Sequence, residues 1–166
     1  MKKLHWFCYL FAFMSCSTSK FVIDKPSRTS SSIDSSISAA QTSLVKEATK
    51  LLGSPYKYGG TNPSGFDCSG FTWYVYSKAL NMQLKRTSKD QARMGKNVHV
   101  ENLQPGDLIF FKFSSGPKIN HVSLVTENKR GRLIVIHSTT SRGVIKEDIL
   151  GSPYWKTKIA FAKRII

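Results

Sequence analysis

Apolar and polar positions change texture several times along the chain, and each texture predicts an element. Leu4 to Met14 is an almost unbroken apolar run behind Lys2 and Lys3. Ser27 to Ser43 is Ser/Thr-rich, with isolated Ile33 and Ile37 and no helical or strand period, so a flexible tether is predicted over residues 16–43. At 44, 45, 48, 51 and 52 the apolar residues share one helical face, and Gly53 supplies a stop, so a folded domain over 44–166 begins with a helix there. The turn formers from Pro55 to Gly65 predict a loop without regular structure. Phe71, Tyr74, Val75 and Ala79 then recur at helical spacing, placing a second helix from Cys68 or Ser69. Ser88-Lys89-Asp90-Gln91 reads as a capping box opening a short helix that Gly95 ends.

Past Leu103 the period shortens. Gln104-Pro105-Gly106-Asp107 is a turn, and Leu108–Phe113, His121–Glu127, Arg132–His137, Val144–Ile149 (an edge strand) and Ile159–Ile166 read as strands. Tyr154-Trp155 reads as a turn or a buried aromatic pair. Helices first and an antiparallel sheet after them make an α+β fold in one domain.

Charge and cysteine use narrow the setting. The formal net charge is +15, which points to a polyanionic partner such as a nucleic acid, an acidic membrane surface or an anionic wall polymer. No zinc-finger spacing, RNA-binding signature or recognition helix accompanies it, so nucleic acid is not the expected partner. Residues 1–15 have the basic start and short apolar core of an export signal. The ending Phe13-Met14-Ser15-Cys16 resembles the lipobox of bacterial lipoproteins, which implies cleavage before Cys16, acylation of its sulfur and a membrane anchor; Ser17 fits outer-membrane sorting. Ordinary secretion with cleavage nearby is the alternative. With Cys8 in the leader and Cys16 lipidated, Cys68 is the lone thiol of an exported domain, a pattern that suggests a working cysteine rather than a disulfide partner.

Cys68 sits where a Gly/Pro-rich loop becomes a helix. The helix dipole and free N–H groups there favour thiolate over thiol, and the same N–H groups suit an oxyanion. A cysteine hydrolase also needs a base and a group to orient it. His99 reads as a solvated side chain, whereas His121 opens one predicted strand and His137 ends the next, which makes them cross-strand neighbours in a hairpin. The resulting triad is Cys68 as nucleophile, His121 as base and His137 as orienter. Zinc ligation by the three lacks a fourth ligand and compact spacing, so no metal or other cofactor is expected.

Pro55-Tyr56-x-x-Gly59-Gly60, Asp67-Cys68-Ser69-Gly70-Phe71, Arg86-Thr87-Ser88-x-x-Gln91, Leu103-x-Pro105-Gly106-Asp107-Leu108-x-Phe110-Phe111 and His121-Val122 resemble, in order, the NlpC family of cell-wall cysteine peptidases. The resemblance implies a reduced papain-like fold and hydrolysis of peptidoglycan stem peptides, at the bond between D-glutamate and the diamino acid or at the crosslink. It also implies that Tyr56 lines the site and that Asp67 and Ser69 contact a stem-peptide amine. A monomer in the cell envelope is expected. A cell-wall amidase or acyl transferase using the same site, or a non-catalytic wall-binding lipoprotein, are the competing readings.

Overall fold

The computed structural model describes residues 28–129 and 131–166, with side chains described from residue 35 onward. The predicted leader over 1–15, Cys16 and the first part of the tether lie outside the described residues.

Helix α1 spans Arg28–Lys50, so residues 28–43 are helical where the sequence predicts a tether. Ser and Thr disfavour helices by offering the backbone other hydrogen bonds. Here those bonds stay inside the helix: the hydroxyls of Thr42 and Ser43 donate to the carbonyls of Ser38 (2.9 Å) and Ala39 (3.0 Å). Leu44, Ala48 and Leu51 are buried and anchor the C-terminal half, from which the helix extends at little further cost. Positions 33, 37, 40, 44, 48 and 51 do carry a helical period, hidden among the serines.

The loop after α1 contains a small hairpin, β1 (Thr61–Asn62) with β2 (Gly65–Phe66), where no regular structure is expected. Helix α2 follows over Cys68–Leu80 and α3 over Ser88–Gln91. A six-stranded antiparallel sheet is built from β3 (Lys96–Val98), β4 (Leu108–Phe111), β5 (His121–Lys129), β6 (Arg132–Thr139), β7 (Gly143–Asp148) and β8 (Ile159–Arg164). Their spatial order is β3-β8-β4-β5-β6-β7, which puts β7 on the edge and adds β3, a strand the sequence reading passes over. Pro153–Lys156 forms a single-turn helix α4, which buries Trp155 and leaves Tyr154 exposed.

Alternation along the strands divides the core in two. Leu108, Phe110, Val122, Leu124 and Ile136 pack with Phe71, Val75 and Tyr76 of α2 on one face. Ile109, Phe111, Val125, Leu133 and Val135 pack with Trp155 on the other. Asp107, buried in the turn before β4, takes a two-pronged contact from Arg164 of β8 (2.9 and 2.7 Å) and accepts from the Gln104 N–H. That pair locks the turn to the central strands.

Thr87, not Ser88, caps α3: its side chain accepts from the Asp90 N–H. Gln91 is thereby freed for another task. Fully buried, it accepts from the Thr72 hydroxyl (2.8 Å) and donates to the carbonyls of Ser69 (3.0 Å) and Lys85 (2.9 Å). It therefore fastens the first turn of α2 to the chain before α3. Gln91→Leu removes three hydrogen bonds at a buried position, at about 1 kcal/mol each, while the Thr72 hydroxyl keeps its bond to the Ser69 carbonyl (3.0 Å). The expected result is a loss of at least about 2 kcal/mol in urea unfolding at unchanged m-value, and an unchanged midpoint would refute this account of the contact.

Candidate active site

Asp67 sets the position of the thiol. As the N-cap of α2 it accepts from the Gly70 N–H through Oδ1 (2.6 Å), and its Oδ2 accepts from the Gly59 N–H (3.0 Å). Arg86 grips both oxygens (3.1 and 2.7 Å), and the Ser69 hydroxyl adds a longer bond to Oδ1 (3.2 Å). The carboxylate is thus saturated by its own chain, a different task from the amine contact that the resemblance implies. Ser69 is buried and engaged with Asp67 and Arg86. The fit is close at Gly70, where an added Cβ would lie 2.0 Å from the Gly60 carbonyl oxygen, so only glycine lets the loop rest on the helix start.

Cys68 is the first residue of α2, as the spacing predicts, and is a free thiol packed against the core at a cavity wall. Its protonation differs from the expectation. Burial pushes the thiol above its ordinary value and the neighbouring Asp67 carboxylate adds to this, while the N–H groups of Val122, Ser69 and Cys68 itself oppose them. Desolvation outweighs the helix terminus, so the unliganded protein holds a thiol rather than a thiolate.

The hairpin of β5 and β6 brings the histidines together: His121 Nε2 and His137 Nδ1 are 2.9 Å apart. His137 Nε2 lies 3.3 Å from Glu147 Oε2 on β7, and Arg142 donates to both oxygens of Glu147 at 3.1 Å. A carboxylate only accepts, so His137 carries its proton on Nε2 and accepts at Nδ1. His121 then donates from Nε2, which leaves its Nδ1 bare.

Aromatic rings enclose this pair. Trp155 stacks on His121 at 5.0 Å and lies 4.9 Å from His137, and Phe111 and Phe113 flank His121 at 5.6 and 6.2 Å. Burial, with His137 alongside, drives the His121 pKa well below the usual histidine value. The His137 pKa falls to about 4, chiefly through burial and against the pull of Glu147. Both rings are neutral at pH 7.

Cys68 and His121 line one cavity of about 320 Å³ with Tyr56 and Trp155. The Val122 N–H that acts on the sulfur belongs to the residue after His121, which ties the two side chains to one strand start. A second cavity, walled by Tyr56, Asp67, Ser69 and Arg86, also reaches Cys68. The phenol of Tyr56 is held above its ordinary pKa by burial, then by Cys68, Asp67 and Tyr58, so it is a hydrogen-bond donor. His99 is exposed and distant in role, as expected.

Comparison with known sequences bears on this arrangement: the profile of the NlpC/P60 family matches residues 53–164. The chain belongs to the NlpC/P60 family. It is 43% identical over 125 residues to the Gamma-DL-glutamyl hydrolase of Bacillus subtilis, a match covering 74% of this chain but 29% of that protein. It is 39% identical over 113 residues to the "Probable endopeptidase NlpC" of Escherichia coli, covering 68% of this chain and 70% of the other. Among solved structures, the NlpC/p60 domain of the peptidoglycan hydrolase SagA superposes with a TM-score of 0.61 at 33% identity, over 75% of this chain and 97% of that one.

Within this NlpC/P60 domain, the sequence pattern does not single out Glu147, Arg142, Arg86 or Trp155 as site residues; the fold brings them to the site. Glu147 and Arg142 reach the histidines through the β6–β7 register, which sets His137 opposite Ile145 and Val135 opposite Glu147. The Arg86-Thr87-Ser88 motif is visible in the sequence, but the pairing of Arg86 with Asp67 is not.

Asp67→Asn keeps a capping oxygen while removing the negative charge that raises the Cys68 pKa. Its thiol is therefore expected to ionise at lower pH than the parent's, read from thiolate absorbance or from the pH dependence of alkylation. A midpoint that stays put or rises would show that Asp67 does not oppose ionisation.

Proposed function

We propose that the protein is a cysteine endopeptidase that hydrolyses peptidoglycan stem peptides through Cys68, His121 and His137. The observation that carries this reading is the ordered line of hydrogen bonds behind the thiol, from His121 Nε2 to His137 Nδ1 and from His137 Nε2 to Glu147. The names of the relatives agree with it: one is a gamma-DL-glutamyl hydrolase, one an endopeptidase and one a peptidoglycan hydrolase. The γ-glutamyl bond of the first supports the bond between D-glutamate and the diamino acid as the one cut.

In this reading His121 Nδ1 takes the Cys68 proton as the sulfur attacks the scissile carbonyl carbon. The oxyanion receives hydrogen bonds from N–H groups at the start of α2 and from the Tyr56 hydroxyl. His121 returns the proton to the leaving amine, giving a thioester. Water, deprotonated by His121, then displaces the sulfur and restores the thiol. His137, held by Glu147, keeps the base in its working tautomer. The residues ahead of the folded domain fit an exported protein anchored through acylated Cys16, and the intact mass of the membrane-fraction protein tests this: an unmodified soluble form would overturn the anchor.

Digestion of sacculi followed by mass spectrometry is the direct test. Fragments cut within the stem peptide are expected, whereas glycan freed of intact peptide would indicate an amidase. Cys68→Ala should abolish cleavage with the fold intact, and retained cleavage would exclude the mechanism.

The pH profile gives an independent check. Activity needs neutral His121, whose pKa lies below the ordinary 6.5, so the acid limb of kcat/KM is expected below pH 6.5. Trp155→Leu admits water to the ring and should move that limb upward. A limb at or above 6.5 in the parent protein contradicts the assignment.

Glu147→Gln retains size but loses the charge that favours a proton on the histidines. The expected outcome is a fall in kcat of about ten- to a hundredfold, with the acid limb displaced to lower pH. A fall in activity without that displacement would reduce Glu147 to a structural role.

A further inference from the structure

Beyond the thiol lies a concavity of about 580 Å³ that the chemistry above does not use. Lys89, Arg93, Lys112 and Lys118 line it, and no acidic residue does. These cations come from α3 and the turn after it, from the end of β4 and from the loop before β5, so it is the fold that gathers them. Arg93 pairs with Asp90 at 3.0 Å. Lys89, Lys112 and Lys118 have no side-chain hydrogen bond or ion pair among the described residues. Between them the floor is apolar, made by buried Ile119 and the partly buried Phe161.

Three unpaired ammonium groups around one hollow repel each other and add nothing to the fold, which is the arrangement expected where an anion completes the charge balance. The hollow also continues into the active site. Lys89, Lys118 and Ile119 are shared with the cavity walled by Tyr56, Arg86 and Cys68.

We infer that this hollow is a binding site for a polycarboxylate peptide strand, a further stretch of the same chain that Cys68 cuts. The floor takes short aliphatic stems and the lysines take free carboxylates spaced along the strand. This rests on the peptidase reading for the link to turnover, but not for binding itself.

The test compares two triple variants with the same change in net charge. One is Lys89→Ser/Lys112→Ser/Lys118→Ser; the other removes exposed lysines elsewhere, Lys129→Ser/Lys146→Ser/Lys156→Ser. Both are made in full-length Cys68→Ala protein, and binding of labelled oligo-γ-glutamate and of an oligophosphate of equal charge is titrated at low and physiological ionic strength. The hollow triple is expected to weaken oligo-γ-glutamate binding about tenfold, and the control triple less than about twofold. With Cys68 restored, the hollow triple should raise KM for anionic muropeptides and leave kcat unchanged.

Equal losses in both triples would reduce the effect to general charge attraction and overturn the site. Absence of oligo-γ-glutamate binding by the parent would overturn it too, as would binding of oligophosphate alone. Binding with the expected pattern alongside no cleavage of sacculi by the active protein would sink the peptidase reading and leave the anion site standing.

Discussion

The Asp67 carboxylate is the contact on which the site's geometry depends. Its five hydrogen bonds join the Gly59 loop, the first turn of α2 and the Arg86 segment at one point, next to the thiol. Hydrogen bonds to a charged partner contribute about 1.5–3 kcal/mol each in favourable cases. Arg86 is partly open to water, so its share is smaller. The carboxylate also has a chemical cost, because a negative charge beside Cys68 opposes ionisation of the thiol. Arg86 returns part of that by neutralising Asp67, whose own pKa lies below the usual carboxylate value despite burial. Position is favoured over ionisation, and in the proposed mechanism activation of the sulfur falls to His121.

The chemistry of His121 is shaped by enclosure. Trp155 and the phenylalanines strip water from His121, which depresses its pKa, and the same burial outweighs Glu147 at His137. Glu147 therefore does not charge His137 at rest; it chooses which nitrogen carries the proton. Such a choice matters more than the energy of a 3.3 Å contact, because the opposite tautomer would turn His137 Nδ1 into a donor and occupy the nitrogen of His121 that faces it. Arg142, donating to both oxygens of Glu147, keeps that carboxylate aimed at His137.

The residues legible from sequence are those whose signal is local. Cys68 stands where turn formers give way to a helical period, and a short hairpin makes the ends of adjacent strands neighbours, which is enough to pair His121 with His137. Glu147 needs a second register, between β6 and β7, and nothing in Val144–Ile149 distinguishes a carboxylate behind a histidine from one facing solvent. Trp155 depends on where a single-turn helix lands on the sheet. Asp67 is legible as the residue beside Cys68 at a helix start, but its pairing with Arg86, nineteen positions away, is not. The error over residues 28–43 has a different origin. Local propensity argues against a helix in a Ser-rich segment, and burial of Leu44, Ala48 and Leu51 at its far end overrides that propensity.

In the proposed mechanism the uncharged resting pair delays charge separation until substrate is bound. Moving a proton from sulfur to imidazole inside a dry aromatic enclosure creates two charges where water cannot stabilise them, so thiolate and imidazolium gain little by forming early. Charge separation becomes favourable when a carbonyl carbon is at hand to take the sulfur's electrons and the N–H groups of α2 are aimed at the resulting oxyanion. Glu147, two bonds removed through His137, then stabilises the imidazolium as it forms. In the proposed mechanism a bound substrate, rather than the helix dipole alone, completes activation of Cys68, which keeps the thiol protonated and less open to oxidation until substrate arrives.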